Sequence, residues 1–177
     1  MKRILIIGNS GGGKSTMAAK MAKILDLPLI HLDTHFWQPG WIETPDEEWQ
    51  EIVKSLIARE EWIMDGNFGG TLNMRAERAD TIILLDMPRY VNMTGIFRRV
   101  IKYYGKTRPD LPDGCPEKFD WQFTKWVWNY HKNSRPKVLE ILEPFRSSKN
   151  IITLRSRKEV NNFIQKLTWN PQNIKHP

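Results

Sequence analysis

Residues 8–15, Gly-Asn-Ser-Gly-Gly-Gly-Lys-Ser, constrain this chain more than any other stretch. They fit G-x-x-x-x-G-K-[ST] at every fixed position and follow directly on the apolar run Ile4-Leu5-Ile6-Ile7. A short β-branched run that stops at glycines reads as a buried strand entering a tight turn. Beyond the motif, Met17, Ala18, Met21, Ile24 and Leu25 fall on one face of a helix spanning residues 14–25. A strand, a glycine loop and an amphipathic helix in that order are the context in which such a loop wraps an anion.

The chemistry explains the spacing. Glycines let successive backbone N–H groups approach phosphate oxygens, and the start of the following helix adds its positive end. The phosphate contacts are expected from Gly8, Ser10, Gly11, Gly12, Gly13, Lys14, Ser15 and Thr16. Lys14 reaches the β- and γ-phosphates of ATP, and the Ser15 hydroxyl ligates Mg²⁺. Such a loop also needs an acidic partner for Mg²⁺ at the end of a nearby strand. Asp65 is the first choice, Asp33 the second and Asp86 the third, although Asp at a strand end also serves as a turn former or helix cap.

The rest of the chain repeats the strand–helix alternation. Strand-like runs occur at residues 2–7, 29–32, 62–64, 81–85 and 150–154. Helical patterns fill the intervals, at about residues 70–78 and through most of 88–143. Thr44 as N-cap, Pro45 and Glu47 predict a capping box ahead of a helix whose core side carries Trp49, Ile52, Val53, Leu56 and Ile57. Ser156 with Glu159 predicts a second box, before a helix that turns Val160, Phe163, Ile164 and Leu167 inward. Strands alternating with helices argue for an α/β fold, a parallel sheet covered on both faces. The run at residues 105–116, Gly-Lys-Thr-Arg-Pro-Asp-Leu-Pro-Asp-Gly-Cys-Pro, interrupts the helical region and must be a loop. After Pro116 the pattern puts Phe119, Phe123, Trp126, Val127 and Tyr130 on one stripe and Trp121, Lys125, Trp128 and Lys132 on another.

Composition narrows the function classes. The 177 residues suit a single domain, and the longest apolar runs are far too short to span a bilayer. The N-terminus shows no signal-peptide core, and the single Cys115 excludes an intrachain disulfide, so the cytoplasm is expected and no membrane partner is. Net charge is +7, split unevenly: residues 1–86 carry 9 Lys/Arg against 13 Asp/Glu, or −4, and residues 87–177 carry 18 against 7, or +11. A basic second half suits a triphosphate or a nucleic-acid backbone, and charge does not choose between them.

The loop at 8–15, Leu32-Asp33 with Phe36-Trp37, Pro39-Gly40-Trp41, residues 62–67, Asp86-Met87-Pro88-Arg89, Arg108-Pro109-Asp110 and Cys115-Pro116-Glu117 together resemble bacterial DNA topology modulation (FlaR-type) proteins. These lie within the adenylate kinase-like and shikimate kinase-like P-loop kinases. The resemblance runs to about residue 165. It implies a P-loop three-layer α/β/α domain over residues 1–177, a five-stranded parallel sheet in the order 2-3-1-4-5, and a helical, mobile lid around residues 103–118. Adenylate kinases continue their third strand as Asp-Gly-Phe-Pro-Arg, the arginine holding an acceptor nucleotide. Here the run is Asp65-Gly66-Asn67-Phe68-Gly69, which argues against an AMP-type acceptor. Arg75 and Arg78 are candidate substitutes, with surface helical positions as the blander reading.

Phosphoryl transfer rests on positioning and on neutralising charge, so the lid arginines matter collectively. The catalytic candidates are Lys14, Asp33, Arg99 and Arg108, with Arg98, Lys106 and Arg135 as further cations near the site. A small-molecule acceptor is expected between residues 33–45 and the lid, where Trp37, Gln38 and Trp41 form an aromatic wall and Asp33 orients or deprotonates a hydroxyl. Packing of those tryptophans against the core is the competing reading. Trp121 and Trp128 admit a ligand wall, a subunit contact in an oligomer, or cation–π pairs. The leading expectation is a Mg–ATP-dependent phosphotransferase acting on a nucleotide or hydroxylated metabolite. The alternatives are an ATP-switched nucleic-acid-associated regulator, supported by charge alone, and a plain NTPase, for which no water-orienting glutamine or glutamate stands beside the loop.

Overall fold

The computed structural model describes residues 1–169. The chain begins with β1 (Arg3–Gly8), α1 (Lys14–Leu25), β2 (Leu29–His31) and the short α2 (Leu32–Phe36). A hairpin of β3 (Trp37–Gln38) and β4 (Ile42–Glu43) follows, then α3 (Asp46–Ile57), β5 (Trp62–Asp65), α4 (Gly69–Arg78) and β6 (Thr81–Leu85). Next come α5 (Arg89–Tyr103), α6 (Trp121–Asn133), α7 (Arg135–Leu142), β7 (Asn150–Leu154) and α8 (Arg157–Trp169). Residues 170–177, included in the single domain expected from sequence, lie outside the described residues.

The main sheet runs β2-β5-β1-β6-β7, and its registered pairs are all parallel. Counting only the strands of this sheet, the order is 2-3-1-4-5; the two-residue strands β3 and β4, which periodicity does not reveal, shift the labels. The pleat divides the core in two. Leu5 and Ile7 of β1 join Trp62, Met64, Ile82 and Leu84 against α3, α4 and α7 on one face. Ile4 and Ile6 join Ile63, Ile83 and Leu85 against α1 and α8 on the other. A strand buried on both faces must be apolar at every position, which is why residues 4–7 show no alternation. Each of those four side chains is fully buried and contributes roughly 1.5–3 kcal/mol. No helix of the described residues is long and apolar enough to cross a membrane.

Several local expectations need correction. The N-cap of α3 is Pro45, not Thr44, and no side-chain cap bond forms there. The Thr44 hydroxyl instead donates to the Phe36 carbonyl at 2.6 Å, closing the base of the β3–β4 hairpin. The Ser156–Glu159 box forms in part: the Glu159 N–H donates to Ser156 Oγ at 3.1 Å, while Glu159 Oε2 accepts at 2.7 Å from the N–H of Arg155, one residue before the cap. Helix α6 starts at Trp121 because Asp120 caps it, accepting the Phe123 N–H at 3.0 Å. Phe119 therefore precedes the helix, and the inward stripe is Thr124, Val127 and Tyr130, with Phe119 and Trp126 exposed. The segment expected as a helical lid contains no helix past Tyr103, where α5 ends. It is a loop closed at its base by bridges between Tyr104 and Glu117 and between Thr107 and Pro116, with α5 and α6 on either side.

Candidate functional site

β1 ends at the centre of the sheet, and the glycine loop leaves it at the carboxyl edge, where open α/β sheets bind ligands. Two asparagines hold the loop's shape. Asn9 donates from Nδ2 to the Val127 carbonyl at 2.9 Å while its Oδ1 accepts the Ser10 N–H at 2.8 Å. Asn67 Oδ1 accepts the Gly8 N–H at 3.0 Å. Gly11 has φ 73°, and a Cβ there would overlap the Asn92 carbonyl oxygen, so the loop lies against the backbone of α5 as only glycine permits. Gly13, with φ 97°, caps α1 without a side-chain acceptor.

The consequence is a set of free donors. The N–H groups of Gly11, Gly13, Lys14, Ser15 and Thr16 meet no protein acceptor among the described residues. Orphan amides at a helix start, together with the helix dipole, form an anion site. Lys14 folds across this loop, its Nζ 3.2 Å from the Asn9 carbonyl. Burial lowers its pKa, and Asp65 and Asp33 pull it partly back.

Asp65 closes β5, adjacent to β1, and register places it beside Ile6 on one side and His31 on the other. Its Oδ1 lies 2.6 Å from His31 Nδ1, and its other oxygen bonds to no described residue. Burial pushes the His31 pKa down, but the hydrogen bond and charge of Asp65, with Asp110 and Asp33, hold it above 6.5. Asp33 sits in α2, its carboxyl pKa raised by burial against the opposing pull of Lys14. Asp86, the third metal candidate, is committed elsewhere: Arg135 Nε and Nη2 each donate to it at 2.8 Å. The Arg135 bond, working against burial, holds the Asp86 pKa down. Arg135 is thus an internal counter-ion and not a free cation of the site.

Arg99 and Arg108 meet at the lid base. Arg99 Nη1 donates to Ser10 Oγ at 3.2 Å, which ties α5 to the glycine loop. Both Nε atoms stand 3.0 Å from Glu117 Oε2, close enough for ion pairing but without hydrogen-bond alignment. Arg108 also reaches Asp110 at 3.1 Å. Arg98 and Lys106 are exposed. Arg75 and Arg78 are not surface charges of the kind expected. Arg75 is fully buried and donates to the carbonyls of Gly66, Asn67, Phe68 and Thr71, while Arg78 donates to the Ile57 carbonyl.

A cavity of about 890 Å³ joins these groups, with Ser10, Lys14, Asp33, Arg99, Arg108 and Glu117 among its lining residues. Trp37 and Trp41 line it as well, their rings 5.3 Å apart and nearly edge-on. Gln38 does not line it; its carbonyl accepts Cys115 Sγ at 3.2 Å. Two further bonds join hairpin to lid: the Gly40 N–H to the Gly114 carbonyl at 2.8 Å and Trp41 Nε1 to the Pro116 carbonyl at 3.0 Å. Among the tryptophans outside the cavity, Trp128 lies under the Arg89 guanidinium at 4.6 Å, a cation–π pair with a partner not anticipated from spacing. Trp121 is exposed.

Sequence reasoning missed His31, Glu117 and Asn67 as parts of this candidate site, and Arg75, named as a candidate acceptor contact, is spent on main-chain carbonyls instead. Glu117 and Asn67 stood within the resembling motifs, but nothing in their spacing marks one as a counter-ion and the other as a loop anchor.

No protein-family model and no curated protein sequence matches the chain. Among solved structures it is similar to shikimate kinase from Acinetobacter baumannii in complex with shikimate, at TM-score 0.64 and 13% identity, covering 100% of this chain and 96% of that one. It is similar to a sugar kinase from a Janibacter species at TM-score 0.54 and 19% identity, over 97% and 95% of the two chains. Deoxyadenosine kinase from M. mycoides aligns at TM-score 0.52 and 12% identity, over 97% and 98%. The fold is therefore that of the P-loop kinases. The narrower resemblance to DNA topology modulation proteins finds no support in these matches.

Proposed function

We propose that this chain is a Mg²⁺–ATP-dependent phosphotransferase acting on a small hydroxylated acceptor. One observation carries the reading: Ser10 and Lys14 of the glycine loop, whose free amides begin beside them, line the same cavity as the half-buried Asp33. An anion site and a candidate base sharing one cavity is what transfer to a hydroxyl requires. The likeness in fold to kinases of shikimate, sugars and deoxyadenosine agrees with it.

The residues present fit the co-substrate. Amides of residues 11–16 offer several donors to phosphate oxygens. Magnesium takes one or two protein oxygens and completes its shell with water and phosphate; Ser15 Oγ and the unshared oxygen of Asp65 would hold it. Bound Mg²⁺–ATP supplies the phosphoryl group and a divalent charge that offsets its oxygens. Lys14 balances negative charge at the loop. Arg99, already on Ser10, and Arg108 bring positive charge from the lid as it excludes water. Asp33 takes the acceptor's hydroxyl proton onto its carboxylate, and the raised pKa that burial gives it makes it a stronger base there. His31 orients Asp65 through their hydrogen bond.

The test is acceptor-stimulated ADP production by the purified chain across a panel of nucleosides, nucleotides, sugars and hydroxy acids. Lys14→Ala is expected to lower it by roughly 10²–10³-fold, the usual loss when one transition-state donor goes, with the circular dichroism spectrum unchanged. If no member of the panel stimulates turnover in the wild-type protein, the proposal fails.

A further inference from the structure

Resting on the acceptor cavity just described, the charge inventory says what sort of acceptor it takes. An anionic acceptor, whether a sugar acid or a nucleoside monophosphate, needs a cation whose charge is not already matched. Arg75 spends its donors on main-chain carbonyls and is fully buried. Arg99 and Arg108 face Glu117 and Asp110 and, on the reading above, serve the transferred phosphoryl group, so neither is left over for the acceptor. Lys14 belongs to the glycine loop. The remaining cations of the lining, Lys118 and Lys137, have no ion-pair partner among the described residues but are exposed, so water screens the charge they offer. Asp33 and Glu43 line the same cavity, so a second negative charge there would be repelled.

What the cavity offers instead is aromatic surface. Trp37, Trp41, Phe68, Phe123, Trp126 and Tyr130 all contribute to its wall. Trp37 is held edge-on by Phe36 at 4.9 Å and by Trp41 at 5.3 Å, a rigid indole that needs little further ordering to stack on a ligand. Asp33 is the acceptor suited to a neutral hydroxyl.

We infer that the phosphoryl acceptor is a neutral molecule carrying a flat aromatic ring and a free hydroxyl, of the nucleoside type, and that Trp37 and Asp33 recognise its two ends. Titration calorimetry on the full chain, with Mg²⁺ and a non-hydrolysable ATP analogue filling the triphosphate site, tests this with thymidine, deoxyadenosine, their 5′-monophosphates and shikimate. At least one nucleoside is expected to bind about tenfold or more tightly than its monophosphate and than shikimate. Trp37→Ala should weaken that binding by about tenfold, and Trp37→Phe, which keeps a ring, by no more than about threefold; thermal melts confirm that both variants fold. Tighter binding of a monophosphate or of shikimate, binding of no probe, or indifference to Trp37→Ala would overturn the inference. ADP release measured alongside separates the two ideas. Turnover with shikimate alone leaves the transferase reading standing and removes this one, whereas a bound nucleoside without turnover by any probe does the reverse.

Discussion

Arg75 enters the protein interior with main-chain oxygens as its partners. It braces the backbone where β5 turns into α4: the Phe68 residue it grips has φ 27°, a conformation that L side chains rarely adopt, and Asn67 in the same turn anchors Gly8. Burial lowers the Arg75 pKa to about 9, so it stays charged at neutral pH. Arg75→Met should cost about 3 kcal/mol in urea unfolding, because several buried carbonyls lose their donors at once. The Asp86–Arg135 pair gives a pH-dependent counterpart. A carboxyl whose folded pKa lies below its ordinary 3.8 adds stability that is fully present above that value and is lost as pH falls through the folded one. The stability gap between wild type and Asp86→Asn, measured by urea melts from pH 7 to pH 2.5, should therefore hold steady and then close below about pH 3.8. A gap that widens on acidification would refute the assignment. Both roles were hidden in the sequence, since an arginine on an amphipathic helix and an aspartate ending a strand look the same whether buried or solvated.

At the scale of elements, the two expected capping boxes show where local reasoning works. Ser156 accepts the Glu159 N–H as expected, and Glu159 reaches back to the neighbouring Arg155 N–H, so the helix start is held by local bonds alone. Thr44 finds the Phe36 carbonyl at the end of α2, eight residues back at the base of the β3–β4 hairpin, and the hydroxyl goes there. The same hairpin is stapled to the lid through Gly40, Trp41 and Cys115. Hairpin and the loop at 104–118 are thus joined, and one is expected to move with the other. Trp41→Phe keeps the ring and deletes the bond to Pro116; at a net worth of about 1 kcal/mol for one such bond, exchange of the Gly40 amide should quicken about fivefold. Unchanged protection at Gly40 would show that hairpin and lid open independently.

Across the whole molecule, the parallel sheet presents the glycine loop at its carboxyl edge and folds Asp33, Asp65 and the lid arginines toward it. Ligand held by that assembly stabilises the native state alone. At Mg²⁺–ATP about 100-fold above its Kd, the stabilisation is about 2.7 kcal/mol. In a domain of this size that should raise Tm by about 5–10 °C, and Lys14→Ala should remove most of the shift in a scanning-fluorimetry titration. The sequence by itself determined the sheet strands, the helices beside them and the loop at residues 8–15, because each is written in short-range periodicity and in glycines at fixed spacing. Only the tertiary structure decided which charges are free. Arg75, Arg135, Asp86 and Glu117 differ from solvated residues through partners up to 49 positions away. Electrostatic pairing depends on distance in space, and a linear order of residues does not contain it.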